Sequence, residues 1–363
     1  MNAIGSMLKR IDATLAQPGS GFPHFADTQT GVWTRTSTGD WTGGFWCGML
    51  WLAAFHTGLE KYRSGARDWM ARLQPRVASQ SVFKGFLFWY GAALGSRLVG
   101  DDAARALAGQ GAHGLQAMYD SRAGLIPLGT EAEEAANVGP CEANIDSLPG
   151  TTALLFTHGA QERARSHVRQ HVALCVREDG SICQSATFDP RSGALVRRYT
   201  HKGIHDNSTW ARAQAWGMLG VAQALAFGAD EFRPVAMRLA DWWIAHVPPD
   251  RVAYWDFDAP ATPDRERDTS ATAIAAASLL KLAALIPERR DRYRSEAQAM
   301  VDRLASTYLT PVSEFDTRPP GILTEGCFNR RLGVAARHEL IWGDYFLLES
   351  LLALTGKLDA RYV

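Results

Sequence analysis

DNSTWARAQAWGMLGVAQALAFG, residues 206–228, opens on a polar turn and continues as a helix that is apolar nearly all round. A helix without a polar face has to be enclosed by other elements rather than laid against water. Five more stretches share its make-up: DWTGGFWCGMLWLAAFHTG (40–58), FKGFLFWYGAALGSRLVG (83–100), IDSLPGTTALLFTHGA (145–160), RDTSATAIAAASLLKLAAL (267–285) and GDYFLLESLLALTGK (343–357). Between them run helices with one polar face, over 3–17, 101–119, 161–176, 231–247 and 289–309, where the 3.6-residue alternation is plain. The apolar helices start 43, 62, 61, 61 and 76 residues apart, and a period near 60 holds one helical hairpin with its loops. Six such hairpins closing on themselves give an all-α (α/α)6 barrel, an inner and an outer ring of helices, with residues 1–363 forming one domain. Strand content should be low, with a hairpin over 181–200.

In such a ring the inner helices run parallel, and their N-termini gather at one end. Five of the six begin with aspartate: Asp40, Asp146, Asp206, Asp268 and Asp344. Aspartate is a favoured N-cap and complements the helix dipole, so capping is the expected role of most of them. The same arrangement concentrates carboxylates at the mouth of one cavity, the natural place for a site. The second helix carries Phe83 instead.

The formal net charge is zero and the pI about 7.2, which argues against nucleic acid or an anionic membrane as the partner. Five cysteines without a C-x-x-C pair do not suggest a disulfide framework or structural zinc, and a cytoplasmic location is expected. The first residues lack a continuous apolar segment of the secretory kind, and no apolar run reaches membrane-spanning length. Twelve tryptophans and nine tyrosines fill cores in the main, although flat aromatic faces also suit sugar rings. His167 and His171 have the i, i+4 spacing of metal ligands but lie on a charged outer helix, where a solvated face is expected. His201 and His205 share the spacing, and Gly203 between them suggests a turn.

Several of these segments carry a family resemblance. WTGGFWCGMLWL (41–52), IDSLPGTTALL (145–155), DNSTWARAQAW (206–216), YWDFDAP (254–260) followed by RDTSATAIAAASLLKL (267–282), and GDYFLLESLLAL (343–354) resemble, in order and spacing, the unsaturated glucuronyl hydrolases of glycoside hydrolase family 88 and their relatives acting on unsaturated rhamnogalacturonan fragments. The resemblance spans roughly residues 20 to 355. It implies an (α/α)6 barrel that removes a 4,5-unsaturated uronic acid from the non-reducing end of an oligosaccharide, without metal or organic cofactor. An acid protonates C4, water adds at C5, and the hemiketal that results opens with loss of the glycosidic bond. A carboxyl in an apolar setting has a raised pKa and suits that role. Asp146, between Ile145 and Leu148, aligns with the family's general acid/base; its bland alternative is a helix cap. Trp41 aligns with an aromatic of the sugar site and His201 with a histidine beside the substrate. Arg212 and Trp216, four apart on one helix face, complete the implied substrate-binding set. Arg212 could instead be a structural ion pair with Asp206 or Asp268.

The chain also departs from the pattern. Members of the family place a second aspartate in H-D-x-G-F at the start of the second inner helix, where this chain has Val82 and Phe83. They read H-Q-G where it has Lys202, and the tryptophan expected before the general-acid helix gives way to GLIPLGTEAEEAANVGPCEA (124–143). Hydration of an unsaturated uronide by Asp146, with Phe83 altering sugar specificity, is the main expectation. One alternative is hydrolysis of a saturated glycoside with a second carboxyl from Asp206, Asp40 or Glu142. Another is a carbohydrate-binding descendant in which Phe83 offers a stacking surface.

Overall fold

The computed structural model describes residues 2–17, 19, 21–262 and 264–363. Its inner ring consists of Gly43–Thr57, the segment 84–99, Leu148–Thr157, Ala211–Ala226, Thr269–Leu285 and Ile341–Leu354. Each packs on the next, and the sixth packs back on the first, so the ring closes as an (α/α)6 barrel. These helices are buried along almost their whole length, as segments without a polar face require. The second passes through a π-turn at Trp89–Ala93. Glycines let the inner helices approach: a Cβ on Gly44 would lie 2.3 Å from the Phe86 carbonyl oxygen, and one on Gly85 would lie 2.0 Å from Thr151 Oγ1.

The outer ring is Ala3–Ala16, Glu60–Ala71, Asp102–Ala117, Gln161–Cys175, Arg233–His246 and Arg290–Arg303. Five of these were expected. Glu60–Ala71 is an addition, and its pattern explains it: Tyr62, Ala66, Trp69 and Met70 point inward from an otherwise polar helix.

Of the five aspartates expected at helix starts, only Asp268 caps, accepting from the Ser270 and Ala271 amides. Asp40 lies ahead of the first helix in a left-handed conformation (φ 49°), and Asp206 is exposed in the loop before Trp210. Asp344 is buried within the first turn of the sixth helix, because Leu340 already occupies the flanking position. Asp146 precedes the third helix in a 3-10 turn, Ile145–Ser147.

Two small antiparallel sheets sit at the N-terminal end of the inner ring. β1 (Phe22–Ala26) pairs with β2 (Trp33–Thr36) and later with β6 (Glu339–Leu340), a sheet the sequence pattern did not suggest. β4 (Ser185–Phe188) and β5 (Leu195–Tyr199) form the expected hairpin, and β3 (Glu142–Asn144) adds to it. In this second sheet Asn144 stands opposite Ser185 and Ser185 opposite Tyr199, so the segments leading to Asp146 and to His201 lie side by side.

Substitution Gly85→Ala is expected to lower stability by about 1–3 kcal/mol, since the Thr151 backbone, with N at 2.5 Å and Cα at 2.7 Å, blocks the added methyl along with Oγ1. Gly65→Ala on Glu60–Ala71, where the nearest atom is 3.4 Å away, should raise it by roughly 0.5–1 kcal/mol. Urea denaturation of the two variants checks both signs.

Candidate active site

A tight cavity of about 10 Å³, room for about one water molecule, lies at the end where the inner helices begin. Trp41, Phe83 and Phe86 form one wall, at the starts of the first two inner helices. Trp210, Arg212 and Trp216 form another, on the fourth. Asp146, Glu134 and Lys202 close it from the segments around the second sheet. The aromatic wall is continuous: Trp41 lies 6.1 Å from Phe83 and 4.7 Å from Trp342 between ring centroids, and Phe86 lies 4.9 Å from Trp216. Five of the six residues singled out in the sequence therefore meet on one surface: Trp41, Phe83, Asp146, Arg212 and Trp216. The sixth, His201, stands just behind it, with Nε2 3.1 Å from Glu134 Oε2 and Nδ1 3.3 Å from Ser185 Oγ.

Asp146 is held by local chain chemistry. Its backbone N–H donates to Asn144 Oδ1 (3.0 Å), which shapes the 3-10 turn. The chain then breaks at Pro149 (ψ 159°) and Gly150 (φ 72°) before the third helix proper begins. Gly150 N–H donates to Gln223 Oε1 at 2.8 Å, which anchors that break to the fourth helix. On the side chain, Gln184 Nε2 donates to Oδ2 at 2.8 Å, while Oδ1 is buried with no hydrogen-bond partner among the described residues. Burial pushes the Asp146 carboxyl up to about 6; nearby Lys202 opposes the shift and Glu134 adds to it. A neutral carboxyl is thus accessible near physiological pH, the state a proton donor needs.

Of the two roles weighed for Arg212, the structure shows the ion pair with Asp268. Nη1 donates to Asp268 Oδ2 at 2.8 Å and to the Cys327 carbonyl at 2.6 Å, and Nη2 donates to the Phe328 carbonyl. It is an interior ion pair whose guanidinium also faces the cavity.

The sequence pattern missed Glu134. Its carboxylate is paired with the Lys202 ammonium and bonded to His201, and Asn144 Nδ2 donates to Oε2 at 2.7 Å. Burial disfavours its ionisation, but Lys202 and His201 outweigh burial and hold the carboxyl well below the ordinary glutamate range. Glutamates 131, 133 and 134 crowd a loop without periodicity, and nothing in the pattern tells which one turns inward. The substitution at Lys202 was the only signal: a lysine at a buried position calls for an anion.

The other carboxyls considered as partners lie elsewhere. Asp206 is exposed, and Asp40 faces Glu133 outside the cavity. Glu142 accepts from Thr187 Oγ1 (2.6 Å) and the Tyr199 hydroxyl (2.9 Å) within the sheet. The expectation of a solvated His167/His171 pair is overturned, since both are fully buried. The buried face of Gln161–Cys175 contains Ala164, His167, Val168, His171 and Leu174, so the arginines take the water-facing side. His167 Nδ1 accepts from Ile126 N–H (3.1 Å), and His171 Nδ1 bonds the His167 carbonyl (2.8 Å). Among the described residues no group of three or more His, Cys, Asp or Glu converges as a metal site, and no helix is long and apolar enough to cross a membrane.

The unsaturated glucuronyl hydrolase of Bacillus sp. (strain GL1) is 34% identical over 97% of this chain and 96% of that protein. The unsaturated chondroitin disaccharide hydrolase of Streptococcus pneumoniae (strain ATCC BAA-255 / R6) is 28% identical over 96% and 90% respectively. The crystal structure of the Bacillus sp. GL1 enzyme superposes with a TM-score of 0.89 at 33% identity, over 97% of this chain and 96% of that one. No protein-family model matches the chain. A likeness that runs the full length of both fold and sequence defines a glycoside hydrolase. Within that class the chain belongs to the unsaturated glucuronyl hydrolases.

Replacing Arg212 by Met strands the Asp268 carboxylate in the interior, and the loss expected is about 3–5 kcal/mol. Adding Asp268→Asn, which keeps a capping side chain, should recover much of it. Urea unfolding of the single and double variants measures the coupling.

Proposed function

We propose that the chain removes a 4,5-unsaturated uronic acid from the non-reducing end of oligosaccharides by hydrating the sugar's double bond, with Asp146 as general acid and base. The observation that carries this reading is the buried carboxyl of Asp146, pushed up to about 6, on the wall of an aromatic cavity. Relatives named for unsaturated glucuronyl and unsaturated chondroitin disaccharide hydrolysis supply the substrate class.

Protonated Asp146 transfers its proton to C4, and the C4=C5 π electrons form the new C4–H bond. The positive charge left at C5 is shared with the ring oxygen. A water molecule adds to C5 and gives its proton to the Asp146 carboxylate, which restores the acid. The C5 hemiketal then opens to a ketone, leaving a hemiacetal at C1 that expels the remaining oligosaccharide as an alcohol. Every step is a proton transfer, an addition or a heterolysis. Trp41, Phe83 and Trp216 provide flat apolar surface for the ring faces, and Arg212 presents positive charge toward the sugar's carboxylate.

With lyase-generated unsaturated disaccharides, the conjugated double bond's ultraviolet absorbance should disappear in step with release of the second sugar. Asp146→Asn should slow this by about 10²–10⁴-fold without unfolding the protein. Persistent absorbance with every unsaturated uronide, together with release of a saturated sugar from an aryl glycoside, would overturn the reading. The pH dependence has a definite sign. Because the acid form of Asp146 starts the reaction, kcat/KM should be level below pH about 6 and fall above it, by about tenfold per unit.

A further inference from the structure

We propose that Glu134 is the second carboxylate of this site, supplied from the loop before β3 in place of the acid absent at position 83, with Lys202 as its fixed counter-ion. The inference rests on the uronide hydration set out above.

The geometry is that of a built position. Glu134 lines the same cavity as Asp146 and Phe83. Three groups from two segments converge on its two oxygens: Lys202 Nζ and the neighbouring His201 Nε2 at 3.1 Å, and Asn144 Nδ2 at 2.7 Å. Asn144 is also the residue whose side-chain oxygen fixes the Asp146 amide, so one asparagine orients both acids. The loop is pinned on either side of Glu134. Glu131 exchanges hydrogen bonds with the Gln80 backbone, and Glu133 reaches Arg76 at 3.3 Å. A helical turn, Ala135–Val138, follows at once.

The three departures from the family pattern become one rearrangement. Phe83 removes a negative charge from the cavity wall, and Glu134 returns one to the same cavity. Lys202, where the family pattern has glutamine, would lose its carboxylate partner at a position only 7% exposed if Glu134 were not there. A buried lysine without an anion is strongly disfavoured, so the two substitutions depend on each other.

The chemistry gives this carboxylate work to do. Protonation at C4 creates positive charge at C5 and the ring oxygen, and an ionised carboxylate fixed across a water-poor cavity stabilises that charge as it forms. The groups facing Asp146 are Glu134, Lys202, His201 and Gln184 around the cavity, Arg212 on the facing wall, and Cys175 behind it. Among these, Glu134 favours the protonated form of Asp146, and Lys202 opposes it. Burial is the larger cause of the raised Asp146 carboxyl, and the pair adjusts it in opposite directions.

The test compares Glu134→Gln, the double variant Glu134→Gln/Lys202→Gln, and the triple variant that adds Phe83→Asp, all with an unsaturated disaccharide. Glu134→Gln should lower kcat/KM by about 10²–10³-fold and move the falling limb of the pH profile to lower pH. The double variant should return the limb toward the wild-type position, and the triple variant should recover activity through an acid at the family's position. Carbon-13 titration of the Asp146 carboxyl reads the same coupling without turnover, and a lower pKa in Glu134→Gln is the expected result. An unshifted Asp146 titration with unchanged or increased kcat/KM in Glu134→Gln would overturn the proposal, marking Glu134 as a plug that substrate displaces. Wild-type protein inert toward all unsaturated uronides would instead count against the hydration reading, and the titration would still decide whether Glu134 acts on Asp146.

Discussion

A helix that is apolar on every face can be stable only when it is enclosed, and six of them in one chain enclose one another only by closing into a ring. That constraint orders everything else in the molecule. Polar and charged side chains are driven to the ends of the inner helices or into the outer ring. Because the inner helices are parallel, one end of the ring collects their N-termini along with both small sheets. The site lies at that end because it is where the barrel can hold polar groups near a dry interior.

Inside the cavity, charge is almost completely matched. Arg212 answers Asp268, and Lys202 answers Glu134. The same pairing recurs at the first sheet, where Arg10 grips Glu339 through Nε at 2.7 Å. Asp146 is the exception: it has one hydrogen-bond donor on one oxygen and none on the other. A carboxyl left so poorly solvated in a buried place shifts toward its neutral form, the property that acid catalysis at C4 requires. The stability of the surroundings and the reactivity of one residue thus come from the same rule applied to different partners.

The ring, eleven of its twelve helices and the cluster of Trp41, Phe83, Asp146, Arg212 and Trp216 could be read from the chain because each follows from local periodicity or from a contiguous motif. Aspartate at a helix start proved a weaker guide. Asp268 caps, yet Asp344 is swallowed by its own first turn and Asp206 stays in solvent. The helix boundary in each case is set by contacts with neighbouring helices rather than by the cap residue alone. His167 and His171 show the same limit, since a charged helix also has an inward face and the pattern alone did not reveal which residues share it.

The sequence by itself determined the closed helical barrel and the family and singled out Asp146, since apolar periodicity and short motifs are local properties of the chain. Only the tertiary structure decided that Arg212 is paired with Asp268, and that Glu134 and Lys202 pair in the cavity that Phe83 also lines. Glutamate 134 and lysine 202 are 68 residues apart, and the loop between Gly124 and Ala143 has no periodicity to orient it. Their meeting follows from the pairing of β3, β4 and β5 and from the high free energy of leaving either charge buried alone.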